Sequence, residues 1–174
     1  MGLVQCYIAA SLDGFIADED GGVDWLEPFQ GGEGTGYEEF FSKLGAIVIG
    51  ASTYEQIPEL GGWPYGEVPG WVFTHRSLPV WHGADVTFVS GEPGPTIERL
   101  RGEIDGNIWL VGGADLLAQF ISASLLDELI LFVVPVLLGR GVPLFSGTAA
   151  MRMELESAAA RGRGLAQLRY RFGH

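Results

Sequence analysis

Three short segments of this sequence carry groups that could hold a phosphate-bearing ligand. Gly50-Ala51-Ser52-Thr53 follows the apolar run Ala46 to Ile49. Thr74-His75-Arg76 follows Trp71-Val72-Phe73, and Gly112-Gly113-Ala114 follows Ile108 to Val111. Each lies where a strand ends and a helix could open, and in open α/β sheets ligands collect at the carboxyl ends of strands. Gly112 and Gly113 carry no Cβ, so the backbone there could approach a pyrophosphate closely. Ser52 and Thr53 offer hydroxyl donors, and His75 and Arg76 offer the positive charge that a 2′-phosphate needs. Each piece alone also fits ordinary structure: a tight turn, a helix cap, a solvated loop pair. Their combination, in order along the chain, outlines a dinucleotide cradle. It is not the G-x-G-x-x-G fingerprint, because Gly112 to Leu117 lacks the third glycine, and a Rossmann dehydrogenase is disfavoured. No spacing of His, Cys, Asp or Glu suggests a metal.

The elements that must position these groups are legible in the hydrophobic pattern. Leu3 to Ala10 is a nearly continuous apolar run, as for a strand buried on both faces. Asp13-Gly14 marks a turn, Phe15 to Ala17 resumes an extended path, and a loop rich in glycine and acid follows from Asp18 to Gly36. Tyr37, Phe40, Phe41 and Leu44 recur at helical spacing. Further strands are expected at 46–49, 71–73, 86–89 and 108–111, with helices over 96–101 and along Leu116, Leu117, Phe120 and Ile121. Leu129 to Leu138 reads as a strand interrupted by Pro135, which predicts an edge position or a bulge. Leu155 to Phe172 reads as two strands joined around Arg161 to Gly164. The expected fold is therefore α/β: a mostly parallel twisted central sheet, helices on both faces, and an antiparallel C-terminal hairpin. No internal linker divides the chain, so residues 1–174 read as one domain.

Composition narrows the partners. The chain of 174 residues is 47% hydrophobic, enough for a sizeable core. Its 10 basic residues face 22 acidic ones, for a net charge of −12, and Lys43 is its single lysine. A surface so acidic repels phosphate backbones and anionic lipid heads, which argues against nucleic acid and membrane as partners. Cys6 is the single cysteine, so no intrachain disulfide is possible; with no signal-peptide pattern and no long apolar run, a cytoplasmic protein is expected. Arg161, Arg163, Arg169 and Arg171 form a basic cluster that fits either a solvated face or contact with a second subunit. His82 and His174 have no partner readable from the sequence.

Four motifs in correct order resemble the dihydrofolate reductase-like superfamily. Ala9-Ala10-Ser11-Leu12-Asp13-Gly14-Phe15-Ile16-Ala17 resembles its first strand and following loop, with closest similarity to the reductase domain of the bifunctional riboflavin-biosynthesis deaminase-reductase. Ile49 to Glu55 sits where the superfamily carries a Gly-basic-x-Thr-Tyr/Trp-Glu motif, with Ala51 in place of the basic residue. Val111-Gly112-Gly113-Ala114 matches its Gly-Gly pair, and Leu126 to Phe145 resembles the C-terminal strands of the riboflavin-reductase branch. The resemblance implies an NADPH-dependent reductase of a small planar heterocycle or an opened ribosylamino-pyrimidine. It implies that Ala9 and Ile16 flank the nicotinamide, and that Gly50, Ser52 and Thr53 meet the pyrophosphate. Thr74, His75 and Arg76 would take the adenosine ribose and its 2′-phosphate, and Val111, Gly112, Gly113 and Ala114 would form the floor. Dihydrofolate reductases place a carboxylate on the first helix; here that position falls near Tyr37, with Glu38 and Glu39 adjacent. Asp24 and Trp25 lie in the loop expected to cover the substrate, so Asp24, Trp25, Tyr37 and Glu38 are the candidate substrate contacts. Trp63 could line the same cleft or simply pack. A homodimer is a possible assembly, and a non-catalytic nucleotide- or pterin-binding module is the alternative function.

Overall fold

The computed structural model describes residues 2–31 and 34–173. Eight strands form one sheet in the order β5-β4-β3-β6-β1-β7-β10-β9. They are β1 (Val4–Ser11), β3 (Leu44–Gly50), β4 (Gly70–Phe73), β5 (Val86–Val89), β6 (Asn107–Gly112), β7 (Glu128–Val134), β9 (Met153–Ala160) and β10 (Ala166–Phe172). From β5 to β7 every pairing is parallel, whereas β10 pairs antiparallel with both β7 and β9. A separate antiparallel pair joins β2 (Phe15–Ala17) to β8 (Val142–Pro143).

The sheet has a core on each face because its central strands are apolar on both sides. Val4, Cys6 and Ala10 of β1 point to one core with Val48, Ile108, Leu110 and Leu129; Ile47, Ile49, Trp109, Ile130 and Phe132 point to the other. Helix α3 (Pro93–Glu103) and helix α4 (Ala114–Ser122) cover the first face through Ile97, Leu100, Leu116, Leu117, Phe120 and Ile121. Helix α1 (Tyr37–Ser42) and helix α2 (Ala51–Gln56) cover the second through Phe40 and Tyr54. Complete burial of Cys6 pushes its thiol up to about 12, because a thiolate there would have no water. The pair Arg101–Asp127, at 2.6 Å and partly buried, ties α3 to the approach to β7.

Several expectations need correction. Pro135 does not interrupt a strand: β7 ends at Val134 and lies inside the sheet between β1 and β10, so the proline falls where no ladder bond is needed. Leu44 belongs to β3 rather than to the helix before it, since the chain passes from Ser42 into the sheet through Lys43 alone. Thr74 to Arg76 opens no helix; Thr74 Oγ1 instead accepts the Arg76 backbone N–H at 3.0 Å and closes a turn. Helix α3 starts at Pro93, ahead of Thr96, with the proline in a first turn that needs no N–H. Among the described residues no helix is long and apolar enough to cross a membrane.

Candidate functional site

The parallel strands β3, β4, β5 and β6 end at one level, with Gly50 beside Phe73, Phe73 beside Val89, and Ile49 beside Gly112. After β3 the chain moves outward to β4 and β5, then returns to place β6 on the opposite side of β3. That reversal is the topological switch point at which open sheets split into a crevice. A cleft of about 430 Å³ opens there.

The lining comes from each strand end in turn. Gly50, Ser52 and Thr53 come from the β3–α2 junction, Thr74 and His75 from beyond β4, Ser90 and Gly91 from beyond β5, and Gly113, Ala114 and Asp115 from the start of α4. Ile16, Ala17 and Val142 wall it from the small β2–β8 pair. Gly112 has φ +141°, a conformation that side chains rarely adopt, and the bond joining it to Gly113 is cis. A Cβ on Gly50 would stand 3.4 Å from the Gly112 carbonyl oxygen, and one on Gly113 would stand 3.3 Å from Thr53 Oγ1. The strand ends are pressed together here, and only a bare backbone leaves room above them.

Helix α2 is fixed against the loop that carries His75. The Tyr54 hydroxyl donates to the Pro79 carbonyl at 2.8 Å and accepts the Trp81 N–H at 3.2 Å, and the Trp81 indole N–H donates to the Tyr54 carbonyl at 3.2 Å. The cleft mixes apolar walls with polar groups and carries no permanent cation among the described residues. Among the described residues no lysine or arginine lines it, and its donors are hydroxyls, amides, backbone N–H groups and His75.

The second face of the sheet carries an aromatic group. Tyr7 stacks on Phe40 at 4.7 Å, Tyr37 meets Tyr7 at 5.7 Å and Trp109 at 6.1 Å, and Tyr65 meets Trp109 at 5.5 Å. Burial raises the phenols of Tyr7, Tyr37 and Tyr65, so all three stay protonated donors near neutral pH. The indole N–H groups of Trp25, Trp63 and Trp109 are buried without a protein partner. Ala9 and Val111 pack at the edge of this group, one step nearer the strand ends than Tyr7 and Trp109.

Of the residues expected to hold a nucleotide, the cleft gathers Ile16, Gly50, Ser52, Thr53, Thr74, His75, Gly113 and Ala114, with Gly112 directly beneath. Ala9 and Val111 belong to the aromatic face instead. Arg76 stands outside the lining, paired with Glu55. Of the four candidate substrate contacts, Tyr37 joins the aromatic group and Trp25 packs at its margin, while Asp24 and Glu38 are exposed. Glu39 turns to Lys43 at 2.6 Å. Sequence reasoning missed Tyr7 and Trp109, although aromatic residues on neighbouring central strands were a signal, and it missed Tyr65, which lies in the loop before β4. It also passed over Ser90-Gly91, a fourth strand end of the same type as the other three.

Comparison with known proteins agrees with this architecture. The family model of the RibD C-terminal domain matches residues 63–166. YwjB of Bacillus subtilis, a protein itself uncharacterized, is 41% identical over 140 residues, covering 80% of each chain. A Shewanella sp. PV-4 protein named, provisionally, for riboflavin biosynthesis superposes with a TM-score of 0.87 at 28% identity, covering 99% of both chains. A dihydrofolate reductase of Enterococcus faecalis, complexed with NADP(H), shares the fold at a TM-score of 0.64 and 17% identity, covering 98% of this chain and 96% of that one. The fold is thus dihydrofolate reductase-like, and the chain belongs to the RibD C-terminal domain family.

Proposed function

We propose that this chain is an NADPH-dependent reductase that reduces a C=N or C=O bond of a small planar heterocycle or an opened ribosylamino-pyrimidine. The observation that carries the reading is the crevice at the switch point, floored by Gly112 and Gly113 where any Cβ would crowd Thr53 or strain the backbone. Such a bare floor, ringed by Ser52, Thr53 and Thr74 hydroxyls, fits a pyrophosphate and its riboses. The names of similar proteins point the same way: a riboflavin-biosynthesis protein, and a reductase complexed with NADP(H).

A bound nicotinamide supplies the hydride, so no protein nucleophile is required. The chain's own residues position and exclude water. In this reading Gly50, Ser52, Thr53, Gly113 and Ala114 hold the pyrophosphate, and Thr74, His75 and Arg76 serve the 2′-phosphate end. Ala9, Ile16 and Val111 border the reacting ring. Tyr37 and Tyr65 present neutral donors, which suit the carbonyl edge of a heterocycle better than a cationic one, whereas the Tyr7 hydroxyl donates to the Thr35 carbonyl at 3.4 Å. The buried free thiol of Cys6 fits a reducing, cytoplasmic compartment.

A second reading, a binding module without turnover, is favoured by the close ring packing on the aromatic face. Titration with NADPH by calorimetry, followed by stopped-flow oxidation against a panel of pyrimidines and pterins, separates the two. Saturable binding with oxidation is expected. Binding without oxidation by any of the panel would favour the module, and absence of binding would overturn both readings for NADPH.

The working form in this proposal is a homodimer. All of β9 except Ala159 is exposed, and the register puts Met153, Leu155, Ala158 and Ala160 on the same face as Leu168 and Tyr170 of β10. This apolar, uncharged strip lies at an open sheet edge, which natural proteins cover or protect. On a chain of net charge −12 it is a surface two copies can share with little repulsion.

A further inference from the structure

We propose that Glu55 sets the cofactor preference of this site by holding the Arg76 guanidinium, so that a 2′-phosphate must displace a carboxylate to be read. The inference rests on the reductase reading above and adds a specificity residue to it.

Glu55 lies in the last turn of α2, and Arg76 lies three residues beyond the end of β4. Their side chains meet as a fork on a fork: Arg76 Nη1 donates to Glu55 Oε1 at 3.0 Å, and Nη2 donates to Oε2 at 2.6 Å. Both ends of the pair are fixed. The turn closed by Thr74 holds the Arg76 backbone, and the Tyr54–Trp81 contacts hold α2 against the same loop. Thr74 and His75, the two residues immediately before Arg76, line the cleft, while Arg76 itself is drawn aside.

Bidentate pairing uses the same two N–H directions that a phosphate would use, so Glu55 and a 2′-phosphate compete for one fork. A carboxylate beside the ribose also repels a phosphate and accepts a hydrogen bond from a free hydroxyl, the arrangement that favours NADH in other dinucleotide sites. No lysine or arginine lines the cleft among the described residues, and Arg76 follows directly on the lining residue His75, so its guanidinium is the permanent cation that this strand end supplies. The pair is exposed, with side chains 58% and 38% accessible, so it is easily exchanged for a stronger partner. Arg76 is thus a phosphate reader that rests in a closed position.

The test is calorimetric titration of the full chain with NADPH and NADH for the native protein, Glu55→Gln, Arg76→Ala and the double variant. Glu55→Gln should raise the ratio of NADPH to NADH affinity about two- to fivefold, and the gain should shrink with added salt. In the Arg76→Ala background the same substitution should leave the ratio unchanged. Circular dichroism checks that each variant is folded. A ratio that is unchanged or lower in Glu55→Gln, while the native protein binds NADPH, overturns this inference alone. Failure of the native protein to bind either nucleotide overturns the reductase reading and this inference with it.

Discussion

Valine at position 113 isolates the role of the bare backbone. Gly113 has φ −82° and ψ −172°, extended values that any residue adopts, so a side chain there meets no left-handed backbone strain and needs only a small shift of Thr53. The added Cβ would stand 3.3 Å from Thr53 Oγ1, and its methyl groups would occupy the cleft. Gly113→Val is expected to abolish saturable NADPH binding in calorimetry while circular dichroism stays native. A normal affinity in the folded variant would show that the cradle lies elsewhere. At this scale much of the site was legible, because strand ends followed by glycine, serine and threonine are local signals. The Arg76–Glu55 pair was not, since its partners are 21 residues apart and meet only when α2 packs on the loop after β4. Nor could a string of letters show that Ala9 and Val111 pack against the aromatic face, next to the cleft lining rather than within it.

At the scale of elements, α1 decides which heterocycles are accepted. It presents Tyr37 to Tyr7 and Trp109, while Glu38 is exposed and Glu39 is held by Lys43. A pterin bound for reduction gains most from a buried ionised carboxylate that accepts two hydrogen bonds, and a neutral phenol cannot replace that. Steady-state assays should therefore show very poor turnover of dihydrofolate with NADPH, and Glu38→Gln and Glu39→Gln should change it little. Efficient turnover that collapses in either variant would show that α1 does supply a carboxylate. Helix and strand types were readable from periodicity, with α4 and β5 the clearest cases. The ends were less so: Leu44 continued an apolar helical spacing although it already pairs with Asn107 in the sheet. Pro135 read as a fault inside a strand because nothing local reveals that the chain leaves the sheet at Val134.

For the whole molecule, the open end of the sheet gives the sharpest test. Leu155 is 53% exposed on the apolar strip of β9, and glutamate there would place a charge at the centre of a shared face. Sedimentation or light scattering should give twice the chain mass of 18.7 kDa for the native protein and the single mass for Leu155→Glu. A native monomer at tens of micromolar, or a variant that still dimerises, would rule out this face. Apolar runs alternating with helical stripes made the parallel sheet and its antiparallel tail predictable; the strand order was not, because it is fixed by long-range pairing. That order has a consequence for how the chain is made. Strand β1 leaves the ribosome well before both of its partners, since it lies between β6 and β7, which begin at Asn107 and Glu128. Both edges of β1 stay unpaired until the chain beyond Asn107 and Glu128 has emerged, so the two halves of the sheet join only after β6 and β7 are made.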